Sequence, residues 1–500
     1  MSSCQCRKGS RIIWRRYLRI LAQFGIFAYK HTIHMFEKEI YIRRRATLIE
    51  RMGAYAPEGK RGIAIFIGNV DAPAQYRDNA YAFRQDSTWL YYFGIDLQGY
   101  AAIIDLDSAA QTIYADDVDI DDVIWSGPQP SVRSIAEGVG VTDSAPAAAF
   151  GEAVRAAIAK GREVHFIPPS RYYNTLRLRD LSLDPSKSSE ALVKAIISMR
   201  LVKEDVEIEQ MDNACDIGFR MHSLGRSLIK IGASEQDIAG AMDGYAIQKG
   251  WGVSFPTILT QHGETLHLHG HTGTVVPGRL MLIDAGAENN MHYPSDFTRT
   301  YPTGGKFTSK QRDIYEIVCR ANETAFSLTK PGVAYRDVHL AVEKILLGGL
   351  RDLGLVRGDL DDMVGCGICG MFMPHGLGHN IGLDVHDMED LGENLVGYDP
   401  DQKRAPRMGL GSLRMARRLV PGNVISDEPG IYFIPALIEK WKKEGTGRDF
   451  VNYAALEDYY DFGGIRLEDD VLVTADGARR LGHERLPILP DDVEAAMATD

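Results

Sequence analysis

Four short blocks in the second half of the chain combine acids, histidines and sharp turns. The first is Leu280-Met-Leu-Ile-Asp284, an apolar run ending in an acid, followed by Ser295-Asp296-Phe-Thr. A strand ending in Asp284, a turn and a second strand carrying Asp296 would bring two carboxylates together. Unpaired carboxylates at a buried strand end are costly to ionise, and a bound cation offsets that cost. Two acids in a surface turn are the plain alternative. The second block, Met373-Pro-His375-Gly-Leu-Gly-His379-Asn-Ile-Gly-Leu-Asp-Val-His386, holds three histidines in twelve residues. Its glycines allow the backbone to come close to a ligand or another strand. A lone histidine usually belongs to core or surface, whereas three in a glycine-rich run point to a site. The third block is Asn423-Val-Ile-Ser-Asp-Glu428-Pro-Gly-Ile-Tyr432, where Pro-Gly ends a strand sharply and leaves Glu428 at its end. In the fourth, Gly464-Ile-Arg466-Leu-Glu468, alternation places Arg466 and Glu468 on one face. That pair reads either as a surface ion pair or as a ligand held by an arginine.

Together the blocks supply Asp284, Asp296, His379, Glu428 and Glu468. Four carboxylates and one imidazole carry too much negative charge to cluster without cations. Oxygen-rich donors suit hard divalent ions such as manganese better than a cysteine-rich zinc site does. Two ions bridged by carboxylates can share and activate one water.

These residues need a scaffold of some size. The chain has 500 residues, 45% hydrophobic and 25% charged, which predicts a globular protein of two domains. A formal net charge of −12 argues against a nucleic-acid partner. Residues 1–34 carry seven Lys or Arg and no acid, and the apolar stretch Ile20–Tyr29 is too short to span a bilayer. No small-x-small cleavage site follows it, so 1–34 reads as a basic extension, with Met35 a plausible start. Six scattered cysteines imply no disulfide framework, and Cys366-Gly-Ile-Cys369 reads as incidental thiols.

Periodicity predicts a helix over 36–52, then strands at Gly62–Gly68, Ala101–Asp105 and Gln111–Tyr114, and one near His165–Pro168. This is an α/β domain of residues 35–188. The loop Leu181–Ser189 leads to long helices at Ser189–Met199, Glu204–Ile229 and Glu235–Lys249. Glycine-bounded strands and turns are expected to dominate from there to the end of a second domain, 189–490, leaving a tail over 491–500.

The order Asp, Asp, His, Glu, Glu, with His-Gly-Leu-Gly-His, Glu-Pro-Gly-Ile-Tyr and Gly-Ile-Arg-Leu-Glu-Asp-Asp, resembles the pita-bread metallopeptidases (peptidase family M24). Within them it is similar to the Xaa-Pro branch, prolidase and aminopeptidase P. The likeness runs over roughly 35–490, and Phe83-Arg-Gln-Asp-Ser-Thr-Trp89 with Phe93-Gly resembles that branch's creatinase-like N-terminal domain. It implies an α/β (α+β) fold, with a creatinase-like domain followed by a pita-bread catalytic domain. It also implies two divalent ions, with Asp284, Asp296 and Glu468 on one, His379 and Glu428 completing the other, and Asp296 and Glu468 bridging.

The same resemblance gives Glu428 a proton-transfer role, His386 the tetrahedral oxygen, His375 the proline-side pocket and Arg466 the support of the ligands. His267, in Thr265-Leu-His-Leu-His-Gly-His271, matches the family's histidine near the scissile carbonyl, with His269 the competing choice. The spacing from Asp284 to Asp296 is one residue longer than the family's commonest.

Substrate length divides the branch. Gly411-Ser-Leu-Arg414-Met-Ala-Arg417 resembles a prolidase stretch in which the arginine matching Arg414 clamps a dipeptide's free carboxylate. The insertion 434–461 is also prolidase-like. A dipeptidase is therefore favoured over an aminopeptidase P acting on longer peptides. An inactive binding protein of the same fold is the other class, and retention of all five ligands speaks against it. The resemblance further implies a cytoplasmic homodimer or higher homo-oligomer, with Xaa-Pro peptides as partners and neither nucleic acid nor membrane.

Overall fold

The computed structural model describes residues 35–55 and 61–498. The basic extension 1–34 lies outside them. The chain divides into two compact units: the described residues up to Thr47 with Ile63–Gly161, and Leu48–Gly62 with Arg162 onward.

The first unit is a sheet covered by helices. Strands β1 (Ile63–Ile67), β2 (Ala101–Asp105) and β3 (Gln111–Tyr114) pair antiparallel in that order, and β4 (Asp143–Ala145) adds in parallel beside β3. β1 and β2 face their neighbours with nearly unbroken apolar runs, as a strand covered on both faces requires. The part of helix α1 (Lys38–Tyr55) that belongs to this unit buries Tyr41 together with Arg44 and Arg45. Buried guanidinium groups need acceptors. Arg45 donates to the Tyr92 and Val139 carbonyls at 2.8 and 2.7 Å and to Gln111 Oε1 at 2.6 Å. The Phe83–Trp89 block enters α2 (Ser87–Phe93), where the Asp86 side chain caps the helix by accepting from Trp89 N.

The second unit holds the conspicuous blocks. Three helices open it, α3 (Glu190–Arg200), α4 (Asp205–Ser227) and α5 (Glu235–Lys249), each within two residues of its sequence-predicted bounds. Ser189 and Ser234 accept from backbone N–H groups at the starts of α3 and α5. Strands β5 (Ile258–Thr260), β6 (Leu280–Ala285) and β7 (Phe297–Pro302) form one antiparallel sheet in the order β7-β6-β5. The expectation that strands and turns dominate beyond it does not hold. Two long helices follow, α6 (Ser309–Leu328) and α7 (Tyr335–Asp352), and they pack on each other inside the main core. Both present apolar residues at helical spacing, and Thr308 caps α6 in a reciprocal box with Gln311. The 434–461 insertion is also largely helical, with Pro435–Glu444 as its longest piece. The supposed tail enters a helix as well, Pro490–Ala498, with Val493 buried.

The remaining strands are short. β8 (Val424–Asp427) pairs with β9 (Asp469–Val473), and β10 (Ala478–Arg480) adds to the far side of β9. Between them Gly430–Tyr432 and Gly464–Arg466 form a two-stranded ladder, and a single bridge joins Thr298 to Glu468. These pairings bring the ends of four strands together.

Candidate active site

Every residue singled out from the sequence lines one cavity of about 450 Å3: His267, His269, Asp284, Asp296, His375, His379, His386, Arg414, Glu428, Arg466 and Glu468. Each arrives by a local device. Asp284 lies inside β6 opposite Thr298 of β7, and Asp296 immediately precedes β7. The longer turn between them contains a two-residue strand, Ala287–Glu288, and His292 at a positive φ of 64°. Glu428 follows β8, with Pro429 ending that strand. Glu468 sits between the two short ladders, and its N–H donates to the Thr298 carbonyl at 3.0 Å.

The His-Gly-Leu-Gly-His block runs as an extra, irregular strand beside β8. Asn380 bridges Ile425, Ser426 N donates to His379 O at 3.0 Å, and Glu428 N donates to Leu377 O at 3.0 Å. Gly378 is required there, because a Cβ would lie 2.1 Å from the Ser426 carbonyl oxygen. Thus the histidine block and the Glu428 block are glycine-rich for one reason: two backbones touch.

Asp296, His379 and Glu468 offer ligand atoms that all lie within 4.8 Å of one another, and all three residues are buried. His379 Nε2 stands 3.4 Å from Asp296 Oδ2 and 3.8 Å from Glu428 Oε1. Asp284 Oδ1 and Asp296 Oδ1 are buried with no hydrogen-bond partner. Burial, and then the neighbouring carboxylates Asp284, Asp470 and Glu428, push the Asp296 pKa well above the usual range. Glu468 is raised in the same way, by burial and then by Asp296, Glu428 and Asp284. Crowded acids with oxygens unpaired in the interior are what a cation site requires.

The second layer was only partly legible. The spacing suggested Glu468 as the partner of Arg466, but Arg466 pairs with Asp284 instead, and its Nε donates to Thr298 Oγ1 at 3.0 Å. Thr298 Oγ1 in turn donates to Glu468 Oε2 at 2.6 Å. Thr298 had no separate signal beyond following Asp296. Tyr432 had no separate signal either. Arg466 Nη1 donates to the Tyr432 oxygen at 2.7 Å, and that hydroxyl is 2.9 Å from His375 Nε2. His375 Nδ1 lies 2.7 Å from the Gly376 carbonyl, and burial, with Arg466 adding to it, pushes its pKa down to about 3. A neutral ring donating Nδ1–H to Gly376 and accepting from Tyr432 satisfies the whole chain. Behind Asp296, its N–H donates to Asp470 Oδ2 at 3.0 Å, and burial pushes Asp470 up to about 7.

His386 adjoins the ligand set, its ring stacked on that of His379 with centroids 3.7 Å apart. The two competing histidines, His267 and His269, both line the cavity, and partial burial and then Arg466 lower the pKa of His267.

The next residue, Asp387, is fully buried and anchors the His386 loop. Arg200 Nη2 at the end of α3 donates to it at 2.7 Å and Lys203 Nζ at 3.2 Å. Burial alone would raise its pKa, but the two cations outweigh burial and hold it below the usual carboxylate range. A carboxyl held low in the folded protein stabilises it at neutral pH, and the contribution disappears as pH falls through that lowered value, beneath about 3.9. Asp387→Asn removes the buried counter-ion of Lys203 and one of the partners of Arg200, which also reaches Asp384 at 3.3 Å, and is expected to cost about 3–5 kcal/mol, read as a drop in thermal midpoint at pH 7 that vanishes in acid.

The fold and this donor set define a metallopeptidase. The chain belongs to metallopeptidase family M24, whose model matches residues 209–475, and the aminopeptidase P N-terminal domain matches residues 41–165. Human Xaa-Pro dipeptidase is 30% identical over 476 residues, which cover 92% of this chain and 93% of the human one. A probable Xaa-Pro aminopeptidase of Sordaria macrospora is 30% identical over 446 residues, 87% of this chain and 91% of that one. Among solved structures, the aminopeptidase PepP of Pseudomonas aeruginosa superposes with a TM-score of 0.76 at 25% identity, over 93% of this chain and 99% of that one. The proline aminopeptidase P II of Yersinia pestis gives 0.75 at 25% identity, over 93% and 100%. The family uses divalent metal ions, and the donors described above fit them. Among the described residues, no helix is long and apolar enough to cross a membrane.

Proposed function

We propose that this protein hydrolyses the peptide bond between an N-terminal residue and proline, with Xaa-Pro dipeptides as preferred substrates. The observation that carries the reading is one cavity lined by four carboxylates and an imidazole together with His375, His386 and Arg414. The relatives' names support the proline specificity. Asp284, Asp296, His379, Glu428 and Glu468 would hold two divalent ions, which we assign as Mn2+ on the oxygen-rich donor set. Such ions lower the pKa of a water that they share.

The chain's own groups do the rest. Proline nitrogen carries no hydrogen in the peptide and leaves as an amine, so it must receive a proton. Glu428 takes that proton from the attacking water and delivers it. His386 stabilises the oxygen that gains charge, and His267 faces the scissile carbonyl. His375, held neutral between Gly376 and Tyr432, lines the proline side. Arg466 fixes Asp284 directly, and Glu468 through Thr298. Arg414 receives the free carboxylate. We assign the domains to 35–188 and 189–490 and the compartment to the cytoplasm, in keeping with scattered cysteines, and we expect a homo-oligomer.

Assay of the purified protein with Mn2+ tests this, comparing a Xaa-Pro dipeptide with a Xaa-Pro-Xaa tripeptide. Arg414→Ala is expected to lower kcat/KM on the dipeptide by about 10–100-fold, the size of a charge-assisted bond, and to leave the tripeptide within about threefold. Efficient cleavage of the tripeptide, insensitive to Arg414→Ala, would favour an aminopeptidase P. Cleavage of neither by metal-loaded protein would defeat the peptidase reading.

A further inference from the structure

The Arg414 subsite contains two acids that the function above does not use. Glu389 and Glu393 lie on α8 (Glu389–Gly397), a helix broken at Gly392, whose φ is 130°. Arg414 Nη1 donates to Glu389 Oε2 and to Glu393 Oε1, the latter at 2.7 Å. Both acids also have second partners. Glu389 Oε1 is 2.9 Å from His386 Nδ1, and Glu393 Oε2 is 2.8 Å from Arg404 Nη2.

The arrangement is built in rather than casual. A Cβ on Gly397 would lie 1.7 Å from the Arg414 carbonyl oxygen, and Ala416 N and Arg417 N both donate to Gly397 O, at 2.8 and 2.9 Å. The end of the acid-bearing helix is thereby locked against the segment that carries the arginine.

Two acids and two arginines sum to zero charge where a carboxylate clamp would be cationic. An incoming α-carboxylate gains the hydrogen bonds of a guanidinium fork, yet it meets two carboxylates fixed beside that fork. An uncharged chain end meets no such opposition. We propose that Glu389 and Glu393 are specificity-determining residues that neutralise the Arg414 subsite and so restrain its preference for a free carboxylate, admitting longer peptides beside dipeptides. This rests on the Xaa-Pro peptidase reading and refines its substrate class.

The test compares kcat/KM for a Xaa-Pro dipeptide with that for the same dipeptide amidated at its C-terminus, in the full-length protein loaded with Mn2+. Glu393→Gln removes one charge while still offering an oxygen to Nη1. The dipeptide-to-amide ratio should rise by about 3–5-fold, the effect of one partly exposed charge, chiefly through KM. Arg404→Gln removes the cation that balances Glu393, so the ratio should fall. Opposite signs in the two variants support the proposal. A ratio that falls or stays constant in Glu393→Gln overturns it, because the acids would then only orient the arginine. Should Glu393→Gln fail to fold, the Arg404→Gln ratio decides, and a rise or no change there overturns the proposal. Hydrolysis of neither substrate by the unmodified protein defeats the peptidase reading, and this inference with it.

Discussion

Asp296→Asn is expected to abolish hydrolysis, by at least about 10^3-fold, and at the same time to raise the thermal midpoint of the metal-free protein. The two effects share one cause. Asp296 is buried among Asp284, Asp470 and Glu428, and its pKa is raised by that burial and repulsion. A carboxyl raised in the folded state destabilises the fold above its folded pKa, and the penalty disappears as pH falls toward its unfolded value. Without metal, the cluster is therefore strained at neutral pH and relaxes on acidification. The asparagine removes one charge from the cluster and relieves part of that strain. Bound cations relieve it better, so the unmodified protein should gain thermal stability on adding Mn2+ and lose it on chelation, whereas Asp296→Asn should respond weakly to both. Scanning calorimetry at pH 7 with metal and with chelator measures this. A variant that is less stable than the parent without metal would mean that Asp296 is a structural acid and not a ligand.

Glu428→Gln is expected to lower kcat by about 10^2–10^4-fold, the contribution of a positioned proton carrier, with a smaller change in KM. Glu428 is set apart from the other acids by its position. Its side chain is 19% exposed to the cavity, whereas Glu468 is buried, and Ser426 Oγ donates to its Oε1 at 3.3 Å. Burial, the largest influence, still raises its pKa, opposed by His379 and Arg466. A group in that position can exchange protons with a substrate in the cavity. The amide keeps the size and an oxygen but cannot accept a proton. Steady-state kinetics with metal content measured on the same sample separate the two roles. A loss of activity matched by loss of metal would make Glu428 a ligand alone.

Much of this site was legible before any coordinates. Asp284, Asp296, His379, Glu428 and Glu468 were drawn from apolar runs that end in acids and from glycines packed around histidines. Both signals are local, and both reflect what the structure demands: strand ends that meet, and backbones that touch, as Gly378 does against Ser426. The opening helices α3 to α5 and the strands β1 to β3 were legible for the same reason, since periodicity and caps act within a few residues.

What tertiary structure alone decided are the partnerships between distant segments. The long helices α6 and α7 are not among these, because their helical spacing and the Thr308 cap are local signals that the expectation of strands and turns passed over. Thr298 and Tyr432 carry no mark as lone residues; they matter because one touches Glu468 and Arg466, and the other joins Arg466 to His375. Asp387 looks like a loop acid until Arg200 and Lys203 arrive from almost two hundred residues away. Arg414 reads in the sequence as a bare cation, and only the fold sets Glu389 and Glu393 against it. Residue type and near spacing fix which chemistry a chain can carry. The charge each group finally sees depends on neighbours brought together by packing, and that is written in no short stretch of sequence.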